Sequence, residues 1–219
     1  MPTPVGRDPL PREVLAGHQR ERVLAAAVEV FAKRGYQGTT VDHIVSSARI
    51  GVGSFYSQFD GKEACFLAVY DQIVAEARER IKASQPAGAS WSHATCLALA
   101  ALLEAIAAAP LRARVVLVEA QSAGPAARAR LDVCLDEFAV ALRAGRECAP
   151  SGAKLPGTLE EAIVGGVVWL LQQRLLGGEQ GQITALYPEL VGIVLEPYLG
   201  EAEARRQVEA TRAAGIGAG

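Results

Sequence analysis

The stretch TTVDHIVSSARIGVGSFYSQFDGK, from Thr39 to Lys62, decides the fold of this chain. Its apolar residues recur at helical spacing in two short runs, which a turn at residues 49–51 separates. The second run carries small polar side chains and a tyrosine on the face opposite its apolar residues. Two short helices joined by a tight turn, the second with a polar outer face, form the layout of a helix-turn-helix that presents a recognition helix to the major groove of DNA.

Signals at the helix ends support this interpretation. Thr39 is a predicted N-cap, with Asp42 three residues later as a weak capping box. Gly35 ends a first helix that begins near residue 18, and Lys62 begins a fourth helix that runs to about residue 84. The predicted inward-facing residues are Val23, Ala27, Val30 and Phe31 on the first helix, Val41, Ile44, Val45 and Ala48 on the second, and Val52, Phe55 and Phe59 on the third.

The rest of the chain is predicted to be helical as well. Periodic apolar segments at about 92–109, 111–123, 125–148, 159–176 and 184–199 are separated by Pro- and Gly-containing breaks, and no strand pattern or internal repeat is visible. The predicted fold is all-α. Its predicted parts are a flexible Pro-containing arm (1–17), a three-helix helix-turn-helix DNA-binding domain (18–65), a helical ligand-binding and dimerisation domain (66–200) and a polar tail (201–219).

Charge and cysteine content narrow the classes of protein. The 219 residues carry a formal net charge of −2, so no global positive field attracts nucleic acid, but residues 1–62 have eight Lys/Arg against six Asp/Glu. The four cysteines match no zinc-binding pattern and fit a reducing cytoplasm. The apolar run at 162–171 is about half of the roughly 20 residues that a membrane span needs, so we expect a cytoplasmic protein without a membrane partner.

The outer face of the third helix has the chemistry of a DNA reader. Ser54, Ser57 and Gln58 can hydrogen-bond to base edges, and the hydroxyl of Tyr56 can donate to a phosphate. Lys62 can add a charge-assisted phosphate contact. The alternative is an ordinary three-helix packing unit with a solvated polar face.

A set of residues between positions 20 and 67 carries a family resemblance. Its members are Phe31, Gly35, Tyr36, Thr39, Thr40, Val41, Ile44, Ala48, Gly53, Ser54, Phe55, Tyr56, Phe59, Lys62 and Glu63. In these residues the chain resembles the TetR/AcrR family of bacterial transcriptional regulators. The resemblance implies a homodimer with a two-fold axis, a recognition helix at about residues 51–58 and an effector pocket behind it.

The resemblance also implies roles for single residues. It assigns phosphate contacts to Thr39 or Thr40, Tyr56 and Lys62, and positions facing or beside the bases to Val52, Ser54, Ser57 and Gln58. Two departures stand out, because members often have Gly at the turn and Ser capping the recognition helix, where this chain has Arg49 and Gly51. Arg49 can add a phosphate contact, whereas the missing hydroxyl cap costs a few tenths of a kcal/mol.

The later helices are predicted to form the dimer interface and the pocket. The 159–176 helix is apolar nearly all round, and with the 184–199 helix it is expected to form a four-helix dimer interface; the alternative is the interior of a monomer. Candidates for effector contacts are Tyr70, Trp91, Cys96, Glu119, Phe138, Trp169 and Gln172. Because charge is scarce among them, an apolar or weakly polar effector is favoured.

No pattern for catalysis, a cofactor or a metal site is present. The three histidines are isolated, and no nucleophile elbow or phosphate-binding glycine loop occurs. The leading hypothesis is therefore a ligand-responsive transcriptional repressor that binds a double-stranded, near-palindromic operator. A transcriptional activator would have the same helix-turn-helix. Two alternatives stay open: a thiol-based redox regulator using Cys65, or Cys134 and Cys148, and a helical small-molecule-binding protein or enzyme whose helix-turn-helix is only structural.

Overall fold

Ten α-helices make up the described part of the chain, and that part contains no strand. The structure is a computed structural model that describes residues 12–150 and 154–213. The helices are α1 (Arg12–Arg34), α2 (Val41–Ala48), α3 (Val52–Tyr56), α4 (Lys62–Ser84), α5 (Trp91–Ala108), α6 (Pro110–Leu117), α7 (Pro125–Arg143), α8 (Leu159–Leu176), α9 (Tyr187–Leu199) and α10 (Glu201–Ala213). Short 3₁₀ segments lie at Glu119–Gln121, Ala144–Cys148, Gln180–Gln182 and Thr184–Leu186. The predicted all-α fold is confirmed.

The first hydrophobic core crosses the domain boundary that the sequence predicts at residues 65/66. It contains the four predicted inward residues of α1, together with Phe55 and Phe59, whose rings lie 5.5 Å apart. The same core continues through Phe66 of α4 into Val115 of α6 and Leu131 of α7. The three N-terminal helices are therefore packed directly on the body, and a movement of α4 or α6 can reach them.

A second core joins α5, α8, α9 and α10. Its large buried side chains include Leu103 on α5, Leu171 on α8 and Leu190 and Tyr198 on α9. Helix α5 is also long and apolar enough, by length and composition alone, to cross a membrane, with a mean hydropathy of 1.4. A core helix passes the same test, and α5 packs here on α4, α9 and α10.

The predicted polar tail at 201–219 is wrong as far as Ala213, because α10 occupies these residues. Ala204 and Thr211 are buried against the second core, and Val208 packs on it. The buried stripe consists of small side chains at helical spacing, so it lacks the strong apolar pattern that marks a packed helix. Residues 214–219 lie outside the described residues.

The predicted arm at 1–17 also overlaps a helix. Helix α1 begins at Arg12, six residues before the predicted start, and residues 1–11 lie outside the described residues. The predicted arm ends at Gly17, but a single glycine inside a helix lowers the stability of the helix by only about 1 kcal/mol relative to alanine. The remaining residues between Arg12 and Arg20 are compatible with a helix, so the helix extends toward the N-terminus.

Candidate DNA-binding surface and internal cavity

Hydrogen bonds at both ends of α2 fix the turn of the helix-turn-helix. The hydroxyl of Thr40 accepts from the backbone N–H of His43 at 3.3 Å, and Nδ1 of His43 accepts from the backbone N–H of Thr40 at 3.2 Å. At the other end, the guanidinium of Arg22 donates to the carbonyls of Ala48 at 2.7 Å and Arg49 at 3.2 Å. The predicted capping box is therefore present one residue later than expected, with His43 in place of Asp42.

Thr39 does not lie on the DNA-facing surface. Its side chain is 2% exposed, and its hydroxyl donates to the carbonyl of Gly35 at 2.7 Å. Gly35, with φ at 73°, ends α1 in the left-handed conformation, and the chain then turns so that Thr39 packs back on the end of α1. Of the two threonines with a predicted phosphate contact, only Thr40 is exposed.

Helix α3 presents Val52, Tyr56 and the following Ser57 to solvent. Val52 is 45% and Tyr56 54% exposed, whereas Phe55 between them is fully buried. The prediction that Val52 faces inward is wrong, and its exposure agrees with the base-side position that the family resemblance implies. Gly51, the N-cap, has no side chain to cap α3, so no side-chain cap occupies the backbone N–H groups of the first turn; that of Ser54 donates to the carbonyl of Gly51 at 3.0 Å.

Two predicted DNA contacts are engaged inside the protein. The amide of Gln58 donates to the carbonyl of Ser54 at 3.3 Å, and its Oε1 is buried. The ammonium of Lys62 donates to the carbonyl of Tyr36 at 2.9 Å and lies 4.2 Å from the centroid of the Tyr36 ring. A base contact from Gln58 or a phosphate contact from Lys62 would therefore require the side chain to leave these partners.

Two arginines of α1 hold the reading head, which is the segment from Tyr36 to Lys62 that contains α2 and α3. Neither arginine is among the site residues that the sequence predicts. Arg20 lies over the ring of Phe59, 4.5 Å from its centroid, and donates to the carbonyl of Gln58 at 3.5 Å. Arg22 holds the α2–α3 turn as described above. Both arginines lie within one turn before Val23, a fully buried residue of α1, and this location is the signal that the sequence offers for them.

The turn after α1 is held from two sides. The backbone N–H of Tyr36 donates to Oε2 of Glu119 at 2.9 Å, while its carbonyl accepts from Lys62. Glu119 lies two residues beyond the end of α6; it is 7% exposed, and its Oε1 lies 3.6 Å from Nε of Arg114. A buried carboxylate thus connects the end of α6 with the reading head.

We expect Glu119→Ala to weaken the contact between Glu119 and the turn after α1. It leaves the buried Tyr36 N–H without its acceptor, which costs about 1–3 kcal/mol, so exchange of that amide proton should accelerate by about 5- to 150-fold. Glu119→Gln is the matched control, because its amide oxygen can still accept from Tyr36. Hydrogen exchange followed by mass spectrometry measures the effect, and equal protection of Tyr36 in both variants would contradict the assigned role.

An internal cavity of about 550 Å³ lies between α4, α5, α6, α7 and α8. Most of its lining is apolar, with Ile73 and Ala77 from α4, Leu99 and Leu102 from α5 and Val167 from α8. Concave sites of this volume with mostly apolar walls are the usual binding sites for small molecules. The lining also includes residues with polar or ionisable side chains, which are Glu76, Arg78, Arg80, Gln85, Thr95, Arg112 and Cys134.

Helix α6 connects the cavity to the reading head. Ala113, Val116 and Leu117 of this helix line the cavity, and Glu119 lies two residues beyond its end. The carbonyl of Leu117 accepts from the amide of Gln172 at 2.6 Å, which fixes the end of α6 to α8. A molecule in the cavity therefore contacts the helix whose end holds Tyr36.

Comparison with protein families identifies the N-terminal part. Residues 23–69 match the family model described as bacterial regulatory proteins, tetR family. Over these residues the chain is similar to this family of regulators. The matched residues include α2, α3 and the buried first part of α4, which together form the reading head and its support.

Curated proteins that resemble this chain are transcriptional regulators. The match to YerO of Bacillus subtilis, an HTH-type transcriptional regulator, is 31% identical over 29% of this chain and 22% of the relative. The repressor DhaR of Mycobacterium sp. (strain GP1) is 31% identical over 30% of this chain and 33% of the relative. The chain thus spans a third or less of the length of these two relatives. Their function agrees with the prediction of a regulator rather than an enzyme.

Solved structures show the same fold over most of the chain. The fatty acid degradation regulator FadR of Bacillus halodurans has a TM-score of 0.70 at 18% identity, covering 80% of this chain and 94% of its own. FadR of Bacillus subtilis in complex with stearoyl-CoA has a TM-score of 0.63 at 19% identity, covering 83% and 98%. The helical body behind the reading head therefore shares the fold of these two structures.

Two of the seven predicted effector contacts, Trp91 and Phe138, line the cavity. The other five do not line the cavity. Tyr70 lies in the first core and Cys96 in the second, while Trp169 is exposed on α8. Glu119 accepts from the backbone of Tyr36, and Gln172 donates to the carbonyl of Leu117. The seven candidates are polar or bulky residues that interrupt apolar stripes, but the cavity wall is mostly formed by the aliphatic stripes themselves. The side that such a stripe faces depends on tertiary packing.

The cysteines give little support to redox chemistry. Burial raises the pKa of the Cys65 thiol to about 12, and it also raises the pKa values of Cys96 and Cys134. The thiolate is the reactive form of cysteine, so these three side chains behave mainly as small apolar groups. A thiol-based mechanism would depend on Cys148, which is exposed.

Proposed function

We propose that this protein is a ligand-responsive transcriptional repressor, which binds a near-palindromic operator as a homodimer and is released by a small, largely apolar effector. One observation carries the proposal: Glu119, at the end of a cavity-lining helix, binds the backbone of the reading head. An effector that favours one position of α6 would change the position of the reading head. DNA affinity then falls according to the effector's differential affinity for the two states.

The proposed DNA contacts are those that the structure leaves exposed. Thr40, Arg49 and Tyr56 would bind phosphates, while Val52 and Ser57 would lie beside base edges. Ser54 is half-buried and lies at the edge of this surface. Because the reading head binds as one of a symmetric pair, we expect two half-sites about one helical turn, roughly 34–36 Å, apart.

The proposed dimer interface is the exposed face of α8 and α9. Trp169 is 58% and Leu176 51% exposed on α8, on the same face as Gly165 and Gly166, where an added Cβ would meet nothing within 4 Å. On α9, Ile193 is 38% exposed. Exposed large apolar side chains beside small residues typically mark a protein–protein interface, and two copies could approach closely at the glycines.

The cavity wall favours an effector with a large apolar part, and a structural neighbour binds a molecule with a long hydrocarbon chain. FadR of Bacillus subtilis, which has the same fold, was solved with stearoyl-CoA. Repression is favoured by the relative DhaR, which is a repressor. The proposed place of action is the cytoplasm, where the operator DNA of a bacterium is found.

Arg49 offers a specific test of the DNA surface. Among the described residues it is the non-glycine residue with a positive φ, 52°, a conformation that costs roughly 1–2 kcal/mol with a Cβ present. We expect Arg49→Gly to raise the free energy of unfolding by about 1 kcal/mol, yet to weaken DNA binding and reduce the salt slope by about 1.

Urea unfolding and DNA titrations at several salt concentrations measure both effects of this substitution. Arg49→Lys is the control, since it keeps the charge and the backbone strain. A salt slope unchanged in Arg49→Gly would show that Arg49 does not contact phosphate.

The proposed function as a whole is tested by gel shift with the DNA upstream of this protein's own gene, at two salt concentrations and with excess competitor DNA. The expected result is a complex that resists competitor and weakens steeply with salt. Binding that competitor removes completely would speak against a sequence-specific regulator of this promoter.

A further inference from the structure

The charged residues of the cavity lining form a rim. Glu76, Arg78 and Arg80 are exposed on α4, and Arg112 is half-buried on α6, whereas much of the aliphatic wall is buried. The guanidinium of Arg78 forms a bidentate pair with Glu137 of α7, at 2.7 and 2.9 Å from its Nη2, which neutralises that side of the rim. The other side, between α4 and α6, is not neutral.

This other side contains two guanidinium groups and one carboxylate. Arg112 donates to Oε2 of Glu76 at 2.5 Å, and Gln72 donates to its Oε1 at 3.0 Å. Burial raises the pKa of Glu76, but the hydrogen bonds from Arg112 and Gln72 outweigh it and hold the pKa below its ordinary value, so the group is ionised at neutral pH. Arg80 lies one turn along α4 from Glu76, and its positive charge helps to lower the pKa of that carboxyl. Among the described residues, no acceptor lies within hydrogen-bond or ion-pair distance of its guanidinium. The group Arg80, Glu76 and Arg112 thus has a net charge of +1.

A ligand that fits both features has two parts. The apolar wall favours a hydrocarbon chain, because burying apolar surface is the main source of its binding free energy. The positive rim favours an anion, and a guanidinium fork matches a carboxylate or a phosphate in particular. A neutral apolar molecule would form no ion pair with Arg80, whose guanidinium would stay in contact with water.

We propose that the cavity takes an anionic amphiphile, whose hydrocarbon chain lies among α4, α5 and α8 and whose carboxylate or phosphate head binds Arg80 and Arg112 at the rim. This inference rests on the proposed function of the cavity as the effector site. It refines the effector class from apolar to amphiphilic and assigns specificity to two residues that the sequence did not single out.

Three probes with one chain length separate the contributions of head and chain. Dodecanoate, dodecyl phosphate and dodecanol are titrated into the full chain by calorimetry, below the concentrations at which they form micelles. Dodecanoate or dodecyl phosphate should bind at least about tenfold more tightly than dodecanol, as expected for a hydrogen bond to a charged group. The tighter of the two anions identifies the head, and either one supports the proposal.

Variants of the rim test the assigned residues. Arg80→Gln and Arg112→Gln should each weaken binding of the anions by about tenfold or more and leave dodecanol unchanged. Glu76→Gln removes the competing carboxylate and should tighten anion binding by about two- to fivefold, a gain that loss of folding cannot produce. Arg128→Gln, which changes an exposed arginine paired with Asp132 and absent from the lining, is the matched control.

The outcomes distinguish this inference from the proposed function. Equal binding of all three probes to the unmodified protein would overturn the anionic head and leave an apolar effector site in place. Absence of binding by all three would overturn this inference, whereas the gel shift described above tests the proposed function independently. Ala98→Trp places a large side chain in the cavity, so affinities of all three probes that this substitution leaves unchanged would place them outside it and overturn the inference.

Discussion

Trp169→Glu is expected to convert the protein from a dimer to a monomer and to lower its operator affinity by about 10²–10⁴-fold, the gain typical of linking two binding modules. The physical reason is that Trp169, 58% exposed, lies at the centre of the apolar face of α8. A carboxylate there would be desolvated between two copies without a partner. The loss of affinity follows because each remaining reading head would bind one half-site independently.

A matched substitution on another surface controls for added charge. Val133 of α7 is 56% exposed and lies outside the proposed interface, so Val133→Glu should leave the dimer intact. Sedimentation velocity gives the oligomeric state, and titration of operator DNA gives the affinity. A dimeric Trp169→Glu variant, or a monomeric Val133→Glu variant, would show that the interface has been assigned to the wrong face.

Glu160→Gln is expected to lower the free energy of unfolding by about 3 kcal/mol, the lower end of the range for breaking a buried ion pair. The Glu160 side chain is fully buried; its Oε1 accepts from Nε of Arg146 at 2.7 Å and from the hydroxyl of Tyr198 at 2.9 Å. The lower end applies because Arg146 is 30% exposed and can turn to water. Glu161→Gln, which breaks an exposed pair with Arg143, is the control and should cost about 1 kcal/mol or less.

The same residue predicts how stability depends on pH. Hydrogen bonds from Arg146 lower the pKa of Glu160 to about 2, against the opposing effect of burial. Because the folded-state pKa lies below the unfolded value, this contribution is fully present above about pH 4.5 and is lost as the pH falls toward 2. Urea unfolding at pH 7 and pH 3, at one protein concentration, should show a shallower acid loss in Glu160→Gln; identical losses would contradict the assignment.

The sequence predicted the parts of the fold that local signals determine. Helices α4 and α8 begin at the predicted residues, Lys62 and Leu159, since a Gly or Thr immediately precedes each periodic segment. The helix-turn-helix was recognised from the spacing of its apolar residues. Locally determined features were therefore accessible without coordinates.

Features set by tertiary packing were not predictable in the same way. Thr39 and Thr40 are both good N-caps, and only the turn after Gly35 decides that the first is buried and the second is the cap. Glu119 was selected as a possible effector contact because it interrupts an apolar run, yet its partner is the backbone of Tyr36, 83 residues earlier. Contacts over such separations leave no periodic signal in a single sequence.

The central claim, a sequence-specific dimeric DNA reader, is tested most directly by selecting binding sites from a random pool of duplex DNA and footprinting the selected sequence. Selection does not require the operator to be known in advance. We expect enrichment of a near-palindrome with two protected half-sites about one helical turn apart, and we expect the protection to disappear when the salt concentration is raised. Recovery of no common sequence, or of a single unpaired half-site, would contradict it.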